Sequence, residues 1–358
     1  MDASELRARA DSVRDSDPAE AARLYAEASD LGSAGASSSL GYMHMVGEGV
    51  PRDPEKASLY LRRGADGGDL KAMCNLGNLI IEENPVEALG LFEKAAEHGS
   101  VSGMRNAATV LRTGAGVPAD PERAVMWLSK AAETDVASMA VLAHILRTGE
   151  GVPADKPRAA ELYRRAAEAG DADSMYDLAM MLDAGDGIPM DRAEAERWFR
   201  SSAELGDNDA RLCLGGILYE RSEFAEAESV FTDAALDGDV KGMYNLALMY
   251  AEGVLGERDM GKAEEWLESA SEAGFAYAQT MLGTIYLDRN DVDGAVYLLR
   301  KAADQNEPTA MYNLGALALS GRVRMDDHEA VGFLIRAAEQ GVEEARELLV
   351  RLSGQGML

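Results

Sequence analysis

One frame recurs along the whole chain, and it limits what the chain can fold into more than any other feature. It opens on a small residue at Ala36, Ala72, Gly103, Ser138, Ser174, Ala210, Gly242, Ala278 and Ala310, with spacings of 31 to 36 residues. A period of this length marks an array of supersecondary units, each burying its apolar face only against its neighbours. Met follows the small residue in six of the nine units, Leu stands four residues on in eight of them, and Gly or Ala always comes next. The position seven residues on is always apolar, from Met43 to Leu317. Such spacing places one apolar face on an α-helix, and the small residue in its middle admits a second helix at close range.

The second helix carries an Ala in every unit, at 57, 88, 124, 159, 195, 227, 263, 295 and 330, followed by bulky residues that include Trp127, Trp198 and Trp266. Its starts are marked by Asp53-Pro54, Asn84-Pro85 and Asp120-Pro121, an acceptor before a Pro at the first helical position. Its ends carry Gly68, Gly99, Gly170, Gly206, Gly274 and Gly341, which suit a left-handed C-cap. Each unit is therefore expected to be a helix hairpin. Between its two helices stands a joint such as GEGVPRD (47–53), GAGVPAD (114–120) or GEGVPAD (149–155), which three units lack.

The expected organisation is a capping hairpin at 1–33 and nine repeats over 34–342, starting near 34, 70, 101, 136, 172, 208, 240, 276 and 308. A closing helix and tail follow at 343–358, the helix over 343–352. The expected fold class is all-α, because Ala, Leu, Met, Glu and Arg abound while aromatics make up only 6%. Net charge is −28, and only eight of the 35 basic residues are Lys, so nucleic acid and anionic membrane surfaces are poor partners. The N-terminus lacks the pattern of a secretory signal, and no stretch reaches the roughly 18 apolar residues of a membrane span. Cys74 and Cys213 are too few for a disulfide framework or a zinc site. These features point to a cytoplasmic chain with no membrane insertion.

The pattern A-M-x-N-L-G, then G-x-G-V-P-x-D, then K-A-x-x-W/Y-x-x-x-A-A-E-x-G, resembles the Sel1-like repeat, a relative of the tetratricopeptide repeat. The resemblance covers about residues 34 to 342. It implies a right-handed α-solenoid of about ten stacked hairpins whose first helices line a concave face. It also implies a non-catalytic adaptor that binds a protein or an extended peptide. Some bacterial members of the family are assigned β-lactamase-like activity, but they resemble a cysteine-rich subgroup that this chain does not match. A β-lactamase-like or peptidoglycan-linked hydrolase is the alternative.

The glycine joints lack the spacing of a phosphate loop, carry no following Lys and enter the next helix through Asp. Asp183, Asp186 and Asp191 match a calcium loop only in part, and Asp191 also suits an N-cap. The Met stripe reads as core, as does His44, while His98 and His328 fall at helix ends. No catalytic set, cofactor site or metal site can be assembled from these residues.

By analogy with tetratricopeptide repeats, first-helix offsets two, six and nine should point into the groove, with the offset-three Asn close by. That selects Asn75, Arg105, Asn106, Arg112, His144 and Arg147 as a polar, cationic stretch. Tyr176, Tyr219, Tyr244 and Tyr312, with Tyr277, would continue it as an aromatic one. The arginines would either hold an acidic group of a bound peptide or pair with Asp and Glu on neighbouring units.

Overall fold

A computed structural model of the chain describes residues 1–354, which form 21 α-helices and no strand. Residues 355–358, the end of the expected tail, lie outside the described residues. The chain divides into two compact units, Met1–Ala195 and Glu196–Leu358, with the division falling inside helix α12 (Arg192–Glu204).

In the first unit the helices run α1 (Ala3–Val13), α2 (Pro18–Asp30), α3 (Ala34–Val46), α4 (Pro54–Asp66), α5 (Leu70–Ile80) and α6 (Pro85–Glu97). They continue as α7 (Val101–Thr113), α8 (Pro121–Ala131), α9 (Val136–Thr148), α10 (Lys156–Glu168) and α11 (Ala172–Ala184). From α1 to α10, each odd-numbered helix packs on the even one that follows, and each even one packs on the first helix of the next hairpin. The second unit repeats this stack with α13 (Asn208–Glu220), α14 (Phe224–Leu236), α15 (Val240–Glu252), α16 (Met260–Glu272), α17 (Ala276–Asp288), α18 (Val292–Asp304), α19 (Pro308–Leu319) and α20 (Asp327–Glu339). It closes on α21 (Glu343–Gly354), which extends through Ser353 and Gly354, two residues into the stretch expected as tail.

Hairpin closure follows from matched sizes. None of the nine second-helix alanines is more than 1% exposed, and the bulky residue four places on, such as Leu61, Phe92, Tyr163 or Leu299, is buried beside it. Phe92 occupies the space that Gly77 leaves on α5; a Cβ at Gly77 would lie 2.5 Å from its ring. Of the Met stripe, Met73, Met139, Met175 and Met311 are buried, while Met104 and Met243 are half-buried. His44 is buried too, its ring stacked on Tyr60 at 5.7 Å.

The turns within and between hairpins are built from capping chemistry. Asp53, Asn84 and Asp120 each accept a backbone N–H from the first turn of the helix they precede, at 3.0, 3.3 and 3.0 Å. At six junctions between hairpins, among them Gly32–Ser33, Gly68–Asp69 and Gly238–Asp239, a Gly in the left-handed region is followed by an Asp or Ser that caps the next first helix. Gly99, at φ +88, is followed by Ser100, whose hydroxyl accepts the Gly103 N–H at 3.1 Å.

Candidate functional site

Both glycines of the G-x-G joint are needed for their backbone. Gly47 and Gly49 stand at φ +86 and +66, Gly114 and Gly116 at +67 and +73. An N–H from the N-cap Asp closes each joint on the preceding helix: Asp53 donates to His44 O at 2.9 Å and Asp120 to Leu111 O at 2.8 Å. The second glycine rests on the start of the previous hairpin's second helix, so that a Cβ at Gly116 would meet Pro85 Cγ at 2.3 Å.

The residue between the two glycines has its own partner. Glu48 takes both Nε and Nη2 of Arg14, at 2.8 and 2.6 Å. Glu150 takes Arg112 at 2.9 Å, and Asp186 takes Arg147 at 3.2 Å and Lys156 at 2.5 Å. Each of these arginines sits near the end of the preceding hairpin's first helix. In the GAG joint the middle residue is Ala115, and the matching position on the preceding hairpin is Ile81 rather than Arg. The hydrogen bond from Arg14 holds the Glu48 carboxyl below its usual range, and Lys156, followed by Arg147, does the same for Asp186. The joint is thus a contact between successive hairpins, and its polar groups are engaged there.

Arg112 and Arg147 therefore lie on the joint side of the first unit, with Arg147 also paired to Asp177 at 2.9 Å. Asp183 pairs with Arg192 at 3.7 Å, and Asp191 caps α12 through the Glu194 N–H at 2.9 Å. Among the described residues no group of three or more His, Cys, Asp or Glu is placed to hold a metal ion.

Three of the ten candidate residues come together elsewhere. Asn75, Arg105 and Asn106 line a polar groove of about 690 Å³ on the first helices α3, α5 and α7. Its walls repeat in register. Offset two contributes Ser38, Cys74 and Arg105; offset three contributes Ser39, Asn75 and Asn106; offset six contributes Tyr42 and Asn78. Arg14, Lys71, Ser100 and Ser102 complete the lining, and no offset-nine side chain belongs to it. Asn106 Nδ2 donates to Asn78 Oδ1 at 3.1 Å, bridging α7 and α5. Arg105 reaches Asp135 only at 3.9 Å. Cys74 Sγ lies 3.6 Å from Ser100 Oγ, and burial pushes its thiol pKa up, which keeps it protonated at neutral pH.

The remaining candidates are spread apart. His144 is exposed on α9, and Tyr176 is half-buried on α11. In the second unit the Tyr219 hydroxyl donates to the Glu252 carboxylate. Tyr244 packs against Phe275 at 5.5 Å and Tyr277 at 6.3 Å, and Tyr312 is half-buried on α19. Sequence reasoning missed the other nine lining residues, five of which, Ser38, Ser39, Tyr42, Cys74 and Asn78, stand at the same repeat offsets. The signal that could have found these five was the register itself, carried one unit back to offsets two and three and one turn on to offset six.

A family model for the Sel1 repeat matches residues 13–33, 35–69, 70–100, 101–134, 136–171, 172–207, 240–275, 276–307 and 308–342. The matched segments pass over 208–239, where α13 and α14 nevertheless form a hairpin. Among solved structures, the chain is similar to a protective antigen of uropathogenic Escherichia coli with an SLR fold. The two share 31% identity over 99% of this chain and 80% of that one, with a TM-score of 0.78. It is also similar to a Sel1 repeat protein from Oxalobacter formigenes, at 26% identity over 84% of this chain and 93% of that one, with a TM-score of 0.72. No curated protein sequence matches the chain. With repeats matched over most of its length and the same hairpin stack in both solved relatives, this chain belongs to the Sel1 repeat family.

Proposed function

We propose that the chain is a non-catalytic scaffold that holds another polypeptide, in extended form, in the groove on α3, α5 and α7. The observation that carries this reading is the register of the groove wall, where three successive first helices present the same offsets. Packed helices are spaced by about 8–10 Å, and three residues of extended chain span about 10 Å. An extended peptide would therefore meet an equivalent side chain at every third residue. Asn side chains suit such a ligand, because each offers both an acceptor and donors to a peptide backbone.

Membership in the Sel1 repeat family supports an adaptor role over a hydrolase. The low cysteine count and the net charge of −28 suit a cytoplasmic chain that binds protein rather than nucleic acid.

A random peptide-display library panned against the full chain tests the channel. Enriched clones should lose binding to Asn75→Trp, which fills the groove, and keep binding to Leu236→Ser, an exposed change on α14. Clones indifferent to Asn75→Trp would remove the groove from the mechanism. A chromogenic β-lactam should stay at its uncatalysed rate in the presence of the chain; turnover would favour the hydrolase.

A further inference from the structure

We propose that the occupant of this groove is an acidic stretch of polypeptide, its carboxylates paired with Lys71 and Arg105; this rests on the reading of the groove as a peptide channel. The chain has 63 acidic residues against 35 Lys and Arg, yet the groove lining contains three cationic side chains and no carboxylate. One of the three is already engaged, since Arg14 gives two hydrogen bonds to Glu48. The other two are available. Lys71 is exposed and makes no ion pair or hydrogen bond through its side chain among the described residues. The Arg105 side chain is 52% exposed, and its one carboxylate neighbour, Asp135, stands at 3.9 Å, beyond hydrogen-bond range.

These two cations sit on adjacent first helices, α5 and α7, with the neutral amides of Asn75, Asn78 and Asn106 among the residues between and around them. The Asn106–Asn78 bridge leaves the Asn106 carbonyl, its second N–H and both Asn78 N–H groups for a ligand. A peptide backbone matches the amides, and carboxylates on its side chains match the cations, with Arg105 able to offer a two-pronged contact. The distant negative charge of the chain does not prevent this. At physiological ionic strength the Debye length is about 8 Å, so remote repulsion is screened while direct contacts persist.

The test is fluorescence anisotropy of a labelled decapeptide of alternating Glu and Ala with the full chain, at about 0.15 M salt. The same peptide with Gln for Glu should bind about tenfold more weakly or worse. Lys71→Glu combined with Arg105→Glu should abolish binding of the Glu peptide. Lys94→Glu combined with Lys130→Glu changes net charge equally on exposed second-helix positions and should leave binding intact. Circular dichroism checks that both variants fold.

Failure of the Glu peptide to bind, unchanged binding by the groove variant, or equal loss in the charge-matched control would overturn the proposal. If the Gln peptide binds as tightly and still depends on Asn75, the acidic preference fails while the peptide channel stands. If library clones also ignore Asn75→Trp, the channel itself fails. A single-stranded oligonucleotide of equal charge that displaces the Glu peptide at lower concentration would overturn the assignment to polypeptide.

Discussion

At Gly77 the missing side chain is the space that the Phe92 ring occupies. Gly77→Ala would put a methyl group 2.5 Å from that ring, so Phe92 or the hairpin must shift. Overpacking of this kind costs about 1–3 kcal/mol. Urea unfolding should show that loss for Gly77→Ala and a gain of about 0.5–1 kcal/mol for Gly90→Ala, a helix-interior glycine where a Cβ meets nothing within 4 Å. A second residue-scale effect lies at Asp186, which Lys156 and Arg147 hold below its ordinary value of 3.8. A depressed carboxylate contributes stability that is fully present above its unfolded pKa and is lost as pH falls through the lower folded value. Because Lys156 is 42% exposed, solvent screening limits the contribution to no more than about 1 kcal/mol. Asp186→Asn should therefore lower Tm slightly at neutral pH, and the difference from the parent chain should close as pH falls below 3.8. A difference that persists in acid would assign the effect to something other than this carboxylate.

The joint is the element on which stacking of neighbouring hairpins depends. Gly116 combines a φ of +73 with a Cβ position 2.3 Å from Pro85 Cγ, so an alanine there is opposed both by its backbone and by the neighbouring hairpin. A non-glycine residue in the left-handed region costs about 1 kcal/mol or more before any clash. Gly116→Ala should therefore destabilise the chain by about 2 kcal/mol or more, chiefly through the contact between hairpins. Hydrogen exchange should show the loss in α6 to α8, on both sides of the joint. Confinement of the change to the loop would mean that the joint does not bear on stacking. The short units manage without this device: Ser222 and Asn290 take φ +63 in turns that replace the whole joint. A G-x-G joint is thus one of several ways to close a hairpin, and one that also reaches back to its neighbour.

For the whole molecule, the dominant electrostatic fact is a net charge of −28. Ion pairs such as Arg14–Glu48 and Arg147–Asp186 are local, whereas the surplus of carboxylates acts over the entire chain. Self-repulsion of that surplus disfavours the compact state and is screened by salt within about 10 Å at 0.1 M. Raising sodium chloride from low millimolar levels to about 0.2 M should therefore raise Tm by a few degrees. A fall in Tm over that range would mean that the local pairs outweigh the repulsion. The same surplus sets the groove on α3, α5 and α7 apart, since its lining holds cations and neutral groups but no carboxylate.

The hairpins were legible without coordinates because they depend on neighbours in sequence. Periodicity placed the apolar face, Asp-Pro pairs marked helix starts, and glycines marked the ends, so the all-α repeat could be read from residues one unit at a time. The groove was only partly legible, for a physical reason. Which face of a first helix remains open depends on where the next hairpin settles, and that is decided by packing across about 35 residues of sequence. Asn75, Arg105 and Asn106 were within reach of the register argument, but Lys71 and Ser102, each one residue before the frame, enter only through the stacking of three helices. Arg112 and Arg147 belong to the same sequence pattern as Arg105, yet packing brings them to Glu150 and Asp186 on the joints. Local sequence determined the repeat and its caps. Tertiary structure alone decided which of three similar arginines faces a carboxylate at a joint and which faces an open groove, because ion pairing depends on distances that only packed hairpins set.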